Sequence, residues 1–284
     1  MIDFASPIAA AALFALLSWW LGTGVILWLV RRPASSFRWS LALATALLAL
    51  GLWGSAHSMK TTGSASAYLG FASVILMWSW HELAFLTGVL AGPRRQALQS
   101  GATGWLRLSQ SVQAIAYHEL ALIVNFALLW MLQVGQPNHV ALCTFALLWC
   151  MRLSAKLNLF VGVPQTGVQY LPEHLRYLGS YFKTAPVRGF FFLTLAASAL
   201  TLGWLTWQVR SGQVAASTGW VLLAALLGLA IVEHVLMAFP LSIEKLWGWA
   251  MRQRPSPRES AVIARPIVAA VPPVPVAASK GDAS

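Results

Sequence analysis

Charged residues are scarce in this sequence, and those present are unevenly divided by sign. Only 10% of the 284 residues are charged, against about 25% in a typical soluble domain. Lys and Arg number 19 and Asp and Glu only 8, which gives a net charge of +11, while 58% of the chain is hydrophobic. This composition excludes an ordinary soluble domain and predicts a polytopic membrane protein.

Cysteine is also rare, since Cys143 and Cys150 are the two in the chain. They lie about two helical turns apart in one apolar segment, beyond the usual reach of a disulfide. We therefore expect both to be packing residues, because buried free cysteine behaves as a small hydrophobe.

Long apolar segments account for most of the chain. Seven are close to or above the roughly 20 residues that cross a bilayer, which predicts an all-α transmembrane bundle. The first resembles a signal anchor but has no small-residue cleavage pattern, so it is expected to be retained. The predicted spans are 7–30, 38–56, 67–91, 108–134, 138–160, 189–209 and 217–240.

Basic residues are concentrated after the first, third, fifth and seventh spans, whereas the other loops hold only Lys60 and Arg210. By the positive-inside rule, the amino terminus is predicted to be outside and the carboxyl terminus cytoplasmic. The positive net charge then reflects the orientation of the chain in the membrane, and we expect no nucleic acid as a partner. Residues 1–250 are predicted to form the transmembrane domain, and residues 251–284 a disordered Pro- and Ala-rich cytoplasmic tail.

Adjacent His and Glu residues interrupt three apolar spans, at a common depth predicted from the helical rise of about 1.5 Å per residue. Neighbouring residues on a helix point about 100° apart, so each must find its partner on another helix. We expect these side chains to converge on one interior site, to which Arg152, Lys156, Asn125 and Asn158 contribute. The pairs are His81–Glu82, His118–Glu119 and Glu233–His234.

Three interpretations of this layer stay open. It is a structural salt-bridge cluster, a metal centre or a pigment site. Imidazoles and carboxylates suit iron or zinc, yet neither the Glu-x-x-His of di-iron bundles nor the His-Glu-x-x-His of zinc proteases occurs. The candidate metal ligands are His81, Glu82, His118, Glu119, Glu233 and His234.

A tetrapyrrole needs one imidazole for its central metal and space for a flat ring. Alanines stand one turn before two of the candidates, Ala114 before His118 and Ala230 before His234. A macrocycle could therefore approach either helix closely. The candidate cofactor-binding residues are His81, His118 and His234.

The longest loop on the predicted cytoplasmic side, 158–190, contains an amphipathic segment that starts near Pro172. Proline and an acidic residue favour a helix start. We expect a short interfacial helix with an apolar stripe against the bilayer surface. A fourth pair, Glu173 and His174, is expected to stay outside the buried layer. The stripe comprises Leu171, Leu175, Leu178 and Phe182.

This loop contains two distinctive runs, Asn158-Leu-Phe-Val-Gly-Val-Pro164 and Leu171-Pro-Glu-His-Leu-Arg-Tyr-Leu-Gly-Ser-Tyr-Phe182. With these runs and the His-Glu pairs, the chain resembles the PuhE family of photosynthetic complex assembly proteins. The resemblance covers the spans but not the tail. It implies a multi-pass inner-membrane protein of purple-type phototrophic bacteria, whose amino terminus would be periplasmic. The implied partners are subunits of the reaction centre and core antenna, and bacteriochlorophyll or a precursor. It supplies no catalytic residues.

The leading hypothesis is a membrane assembly factor for these pigment complexes that binds bacteriochlorophyll through the His/Glu layer. The alternatives are a membrane metalloenzyme acting on a tetrapyrrole or another hydrophobic substrate, and a proton-coupled transporter in which the same residues form a relay.

Overall fold

The computed structural model describes residues 6–211, 214–239 and 248. The predicted tail, 251–284, lies outside the described residues. Within them the prediction of an all-α bundle is confirmed: seven helices are long and apolar enough to span a membrane. They are α1 (Pro7–Val30), α2 (Phe37–Ser58), α3 (Ser64–Leu86), α4 (Gly104–Gln133), α5 (Val140–Val161), α6 (Gly189–Ser211) and α7 (Val214–Ala238).

Helix ends follow local chemistry. At the start of α1, the Ser6 side chain accepts a hydrogen bond from the Ala9 amide at 3.2 Å, and Pro7 occupies the first helical position. The third span was predicted to reach residue 91, but α3 ends at Leu86. The reason is Gly88, whose φ of +82° reverses the chain while its amide donates to the Phe85 carbonyl.

Helix α3 is the centre of the bundle and packs against α1, α2, α5 and α7. The α2–α3 contact is close because small residues face each other. A Cβ atom at Gly51 would lie 2.6 Å from the Ser73 carbonyl oxygen, and one at Gly54 would lie 2.3 Å from the Ser73 hydroxyl. Small residues allow such close helix approach in membranes.

The two cysteines are free thiols, as expected, but only one of them packs. Cys143 is half-buried against a cluster that includes Leu205 and Leu227. Cys150 is exposed. The packing prediction is therefore wrong for Cys150, because its face of α5 points away from the other helices.

The amphipathic segment forms a 3-10 helix, Glu173–Tyr181. Its apolar face was expected to lie against the bilayer surface, but it contacts other helices instead. Leu175 and Leu178 are buried in a cluster with Phe85 and Ala114, so they pack against α3 and α4 rather than against the bilayer surface. The segment therefore covers one end of the bundle.

Backbone hydrogen bonds fix this cover to several helices. Gly162, with φ +134°, ends α5 and lets the Lys183 amide reach the Leu159 carbonyl at 2.9 Å. The Gln165 amide donates to the Met237 carbonyl of α7 at 3.0 Å. We call residues 162–188, which run from the end of α5 to the start of α6, the cover loop.

Candidate functional site

The first ion pair of the buried layer joins α3 to α5. Arg152 donates from Nε to Glu82 Oε1 at 3.1 Å and from Nη2 to Glu82 Oε2 at 3.0 Å. This two-pronged geometry suits the planar guanidinium. Glu82 is buried, whereas 41% of the Arg152 side chain is exposed. The partner of Glu82 comes from another helix and not from His81.

A second ion pair joins α4 to α5, one turn further along. Lys156 donates from Nζ to Glu119 Oε1, and Trp149 donates from its indole nitrogen to Glu119 Oε2 at 3.3 Å. Both oxygens of Glu119 are therefore satisfied. Because Arg152 and Lys156 are one turn apart on α5, that helix supplies the cations for carboxylates on two different neighbours.

Two imidazoles lie between α3 and α4. Asn125 Nδ2 lies 2.8 Å from His81 Nε2, and the rings of His81 and His118 have centroids 6.5 Å apart. The His118 ring also contacts Phe85, with centroids at 4.6 Å. Both histidines are 1% exposed, and the Nδ1 atom of each finds no hydrogen-bond partner among the described residues.

His234 stands apart from this pair. Its Nδ1 lies 2.8 Å from the Ala230 carbonyl oxygen, and its Nε2 lies 2.9 Å from the Ser154 hydroxyl. Both ring nitrogens are used, so this imidazole is held in place as a link between α5 and α7. His174 is likewise occupied, since its Nε2 lies 3.0 Å from the Leu86 carbonyl, and it does not join the layer.

The six candidate metal ligands do not assemble into a metal centre. No group of three His, Cys, Asp or Glu side chains within 6–211 and 214–239 is placed to hold a metal ion. Cation pairing of two carboxylates and saturation of His234 are the physical reasons. A shared ligand set is therefore not seen among the described residues, and metal binding by His81, Glu82, His118, Glu119, Glu233 and His234 stays a prediction.

Beside the ion pairs lies a cavity of about 440 Å³, within the range typical of small-molecule sites. Four charged side chains line it: Glu82, Arg152, Lys156 and Glu233. The rest of the wall is mainly apolar. Its seven aromatic residues are Trp19, Trp78, Phe85, Phe160, Tyr170, Tyr181 and Phe182.

The predicted imidazoles are not part of this wall, although their neighbours are. Ala114 and Ala230, the alanines one turn before His118 and His234, both line the cavity. Glu82 and Glu233, the neighbours of His81 and His234, line the cavity, whereas Glu119 and the three imidazole rings do not. Pigment binding by His81, His118 or His234 stays a prediction.

Two parts of the wall were missed by sequence reasoning. Helix α1 contributes Ser18, Gly22 and Thr23, and the cover loop contributes Tyr170 and Tyr181. The signal in α1 was a set of small and hydroxyl residues on one face, spaced four to five residues apart. The loop contribution depends on tertiary packing, which spacing alone does not encode.

Tyr181 holds the cover loop over the cavity. Its hydroxyl donates to the Gln96 carbonyl at 2.8 Å and accepts from Arg94 Nε at 2.9 Å. Arg107 Nη2 donates to the Tyr181 carbonyl at 3.0 Å and to the Phe160 carbonyl at 2.8 Å. Arg94, between α3 and α4, and Arg107, in the first turn of α4, thus bind the loop. Burial raises the pKa of the neighbouring Tyr177 phenol, whose hydroxyl has no hydrogen-bond partner among the described residues.

Comparison with known proteins places the whole bundle in one family. Residues 5–258 match the family described as "Protein of unknown function (DUF3623)". The chain belongs to this family. A relative of similar length, "Uncharacterized 30.4 kDa protein in puhA 5'region" of Rhodobacter capsulatus, is 36% identical over 268 residues, which cover 92% of this chain and 96% of the relative. No solved structure gives a significant match to this DUF3623 protein.

Proposed function

We propose that this protein is an integral membrane assembly factor for the photosynthetic reaction centre and core antenna complex. The proposal includes a bacterial inner-membrane location, with a periplasmic amino terminus and a cytoplasmic carboxyl terminus. The photosynthetic context is supported by the R. capsulatus relative, whose name places it in the puhA 5' region. The similarity to the PuhE family points in the same direction.

The cavity carries the pigment part of the proposal, in which bacteriochlorophyll or a precursor binds between the helices. A flat conjugated ring packs well against aromatic side chains, and seven of these line the wall. The four charged side chains of the cavity wall would then orient the polar edge of the ring. His118 is the candidate axial ligand: its ring is buried outside the wall, but its Nδ1 has no hydrogen-bond partner among the described residues and Ala114, one turn before it, lines the cavity. Ligation would therefore require the ring to turn toward the cavity.

Glu233 is the best position at which to test the function. This carboxylate lines the cavity and accepts no hydrogen bond from a described residue, although Arg152 and Glu82 act on it electrostatically. Glu233→Gln should therefore insert and fold as the wild type does. An effect on complex assembly would then reflect the cavity and not the stability of the bundle.

The experiment uses a phototrophic host in which the gene has been deleted. We expect deletion to lower the near-infrared absorbance of the core complex and wild-type protein to restore it. Glu233→Gln should restore it only in part at normal protein level, whereas Glu173→Gln, on the exposed surface, should restore it fully. Equal complex yield with and without the gene would refute the assembly role.

His118→Ala distinguishes the ways in which a pigment could be held. Purified protein that loses pigment on this substitution, while remaining folded, would support ligation by the imidazole. Retained pigment would assign binding to the charged and aromatic wall. The metalloenzyme alternative has no comparable support, since the donor groups of the described spans are not arranged as a metal centre.

A further inference from the structure

The charges inside the described spans do not balance. Five ionisable Asp, Glu, Lys or Arg residues lie away from the helix ends, three of them carboxylates and two of them cations. Glu82 pairs with Arg152 and Glu119 with Lys156. Glu233 is the carboxylate left without an ion pair in this part of the chain, so the layer carries one excess negative charge when all five groups are ionised.

This excess faces the cavity. Glu233 and Glu82 are both in its wall, whereas Glu119 is not. The two cations in the wall, Arg152 and Lys156, are already bound to carboxylates. Among the described wall residues, a ligand carboxylate entering here would meet two carboxylates and no unpaired cation. Desolvating such a group without a counter-charge is strongly unfavourable.

A neutral acceptor has a place to bind. Arg152 uses Nε and Nη2 for Glu82, and its Nη1 donates no hydrogen bond to a described residue. With 41% of the side chain exposed and the residue in the cavity wall, that edge of the guanidinium is available to a carbonyl oxygen. A carbonyl would accept from Arg152 without adding charge.

We infer that the cavity selects a neutral tetrapyrrole, one whose carboxyl groups are esterified, over the corresponding free acid. Arg152 donates to a ligand carbonyl, and Glu233 disfavours a ligand carboxylate. This inference rests on the proposed pigment binding and deepens it, because it names the chemical form of the ligand and the two residues that determine specificity.

The test uses two probes that differ only in esterification, zinc protoporphyrin IX and its dimethyl ester. Each is titrated into purified full-length protein in detergent micelles, and binding is followed by porphyrin fluorescence. We expect the ester to bind at least about tenfold more tightly than the acid, a difference of about 1.4 kcal/mol. Because the ester also partitions better into micelles, the deciding quantity is how this ratio changes between variants.

Glu233→Gln removes the charge of Glu233 while keeping the shape of its side chain, so the preference for the ester should fall by most of that factor. The matched control is Glu173→Gln, which removes an exposed carboxylate in the cover loop, away from the cavity wall, and should leave the ratio unchanged. A variant at Arg152, Arg152→Gln, should weaken binding of the ester, provided circular dichroism shows that the protein is folded.

Three outcomes overturn the inference. Tighter binding of the free acid, or an ester preference that is the same in wild type and Glu233→Gln, refutes selection by charge while leaving pigment binding intact. Failure of the wild type to bind either probe refutes the inference together with the pigment part of the proposed function. The assembly role itself is decided separately, by complex yield in the deletion host.

Discussion

The Glu82–Arg152 pair allows a stability test with a defined magnitude. Arg152→Gln removes two charge-assisted hydrogen bonds and leaves the Glu82 carboxylate buried. Removing one partner of a buried ion pair costs about 3–5 kcal/mol. Since 41% of the Arg152 side chain is exposed at the cavity, we expect a loss near the lower limit, about 3 kcal/mol in the free energy of unfolding.

The double variant Glu82→Gln, Arg152→Gln should recover most of this loss, because it removes the stranded charge as well as its partner. Unfolding is measured by SDS titration in mixed micelles, followed by circular dichroism. The surface control is Arg176→Gln, whose partner Glu173 is 2.9 Å away with both side chains more than two-thirds exposed. That variant should change stability by less than about 1 kcal/mol. Equal stability of the single and double variants would show that the buried charge of Glu82 does not require Arg152.

Three further outcomes follow from the packing and the topology. Gly92→Ala should severely reduce the yield of folded protein, because its Cβ atom would lie 1.7 Å from the Gln113 carbonyl oxygen. Gly203→Ala on α6, where a Cβ atom would have no neighbour within 4 Å, should be tolerated. The two variants are compared by the yield of detergent-solubilised protein. Tyr181→Phe removes both hydroxyl hydrogen bonds of the cover loop, so limited proteolysis should cut the loop faster, and an unchanged rate would contradict its anchoring role. Reporter fusions after Arg95 and after Ser211 should report opposite sides of the membrane, and the same side from both would contradict the predicted topology.

The spans were predictable from sequence because apolar length is a local property. α1 matches its predicted limits of 7 and 30, and α5 was placed to within two residues at each end. The end of α3 was missed because it depends on Gly88, a conformational signal of one residue inside a continuing apolar run.

The partners within the layer were only partly predictable. That Glu82 and Glu119 must pair with other helices follows from helix geometry, and the cations on α5 fulfil it. The hydrogen bonds of His234 with Ser154 and of His81 with Asn125 depend on the rotation of each helix about its own axis, which the sequence pattern does not specify. The participation of α1 in the cavity has the same origin.

The hydrogen bond from Gln165 to Met237 has a consequence for how the protein is made. A ribosome delivers α5 and the cover loop before α7, so during synthesis the loop cannot reach its final anchor until nearly the last described residues have emerged. The two ion pairs, which join α3, α4 and α5, can form earlier. Glu233 arrives with α7, so this carboxylate, which has no ion pair among the described residues, enters a cavity whose paired charges are already in place. The cavity then gains its α7 wall and the anchor of the cover loop in the same step.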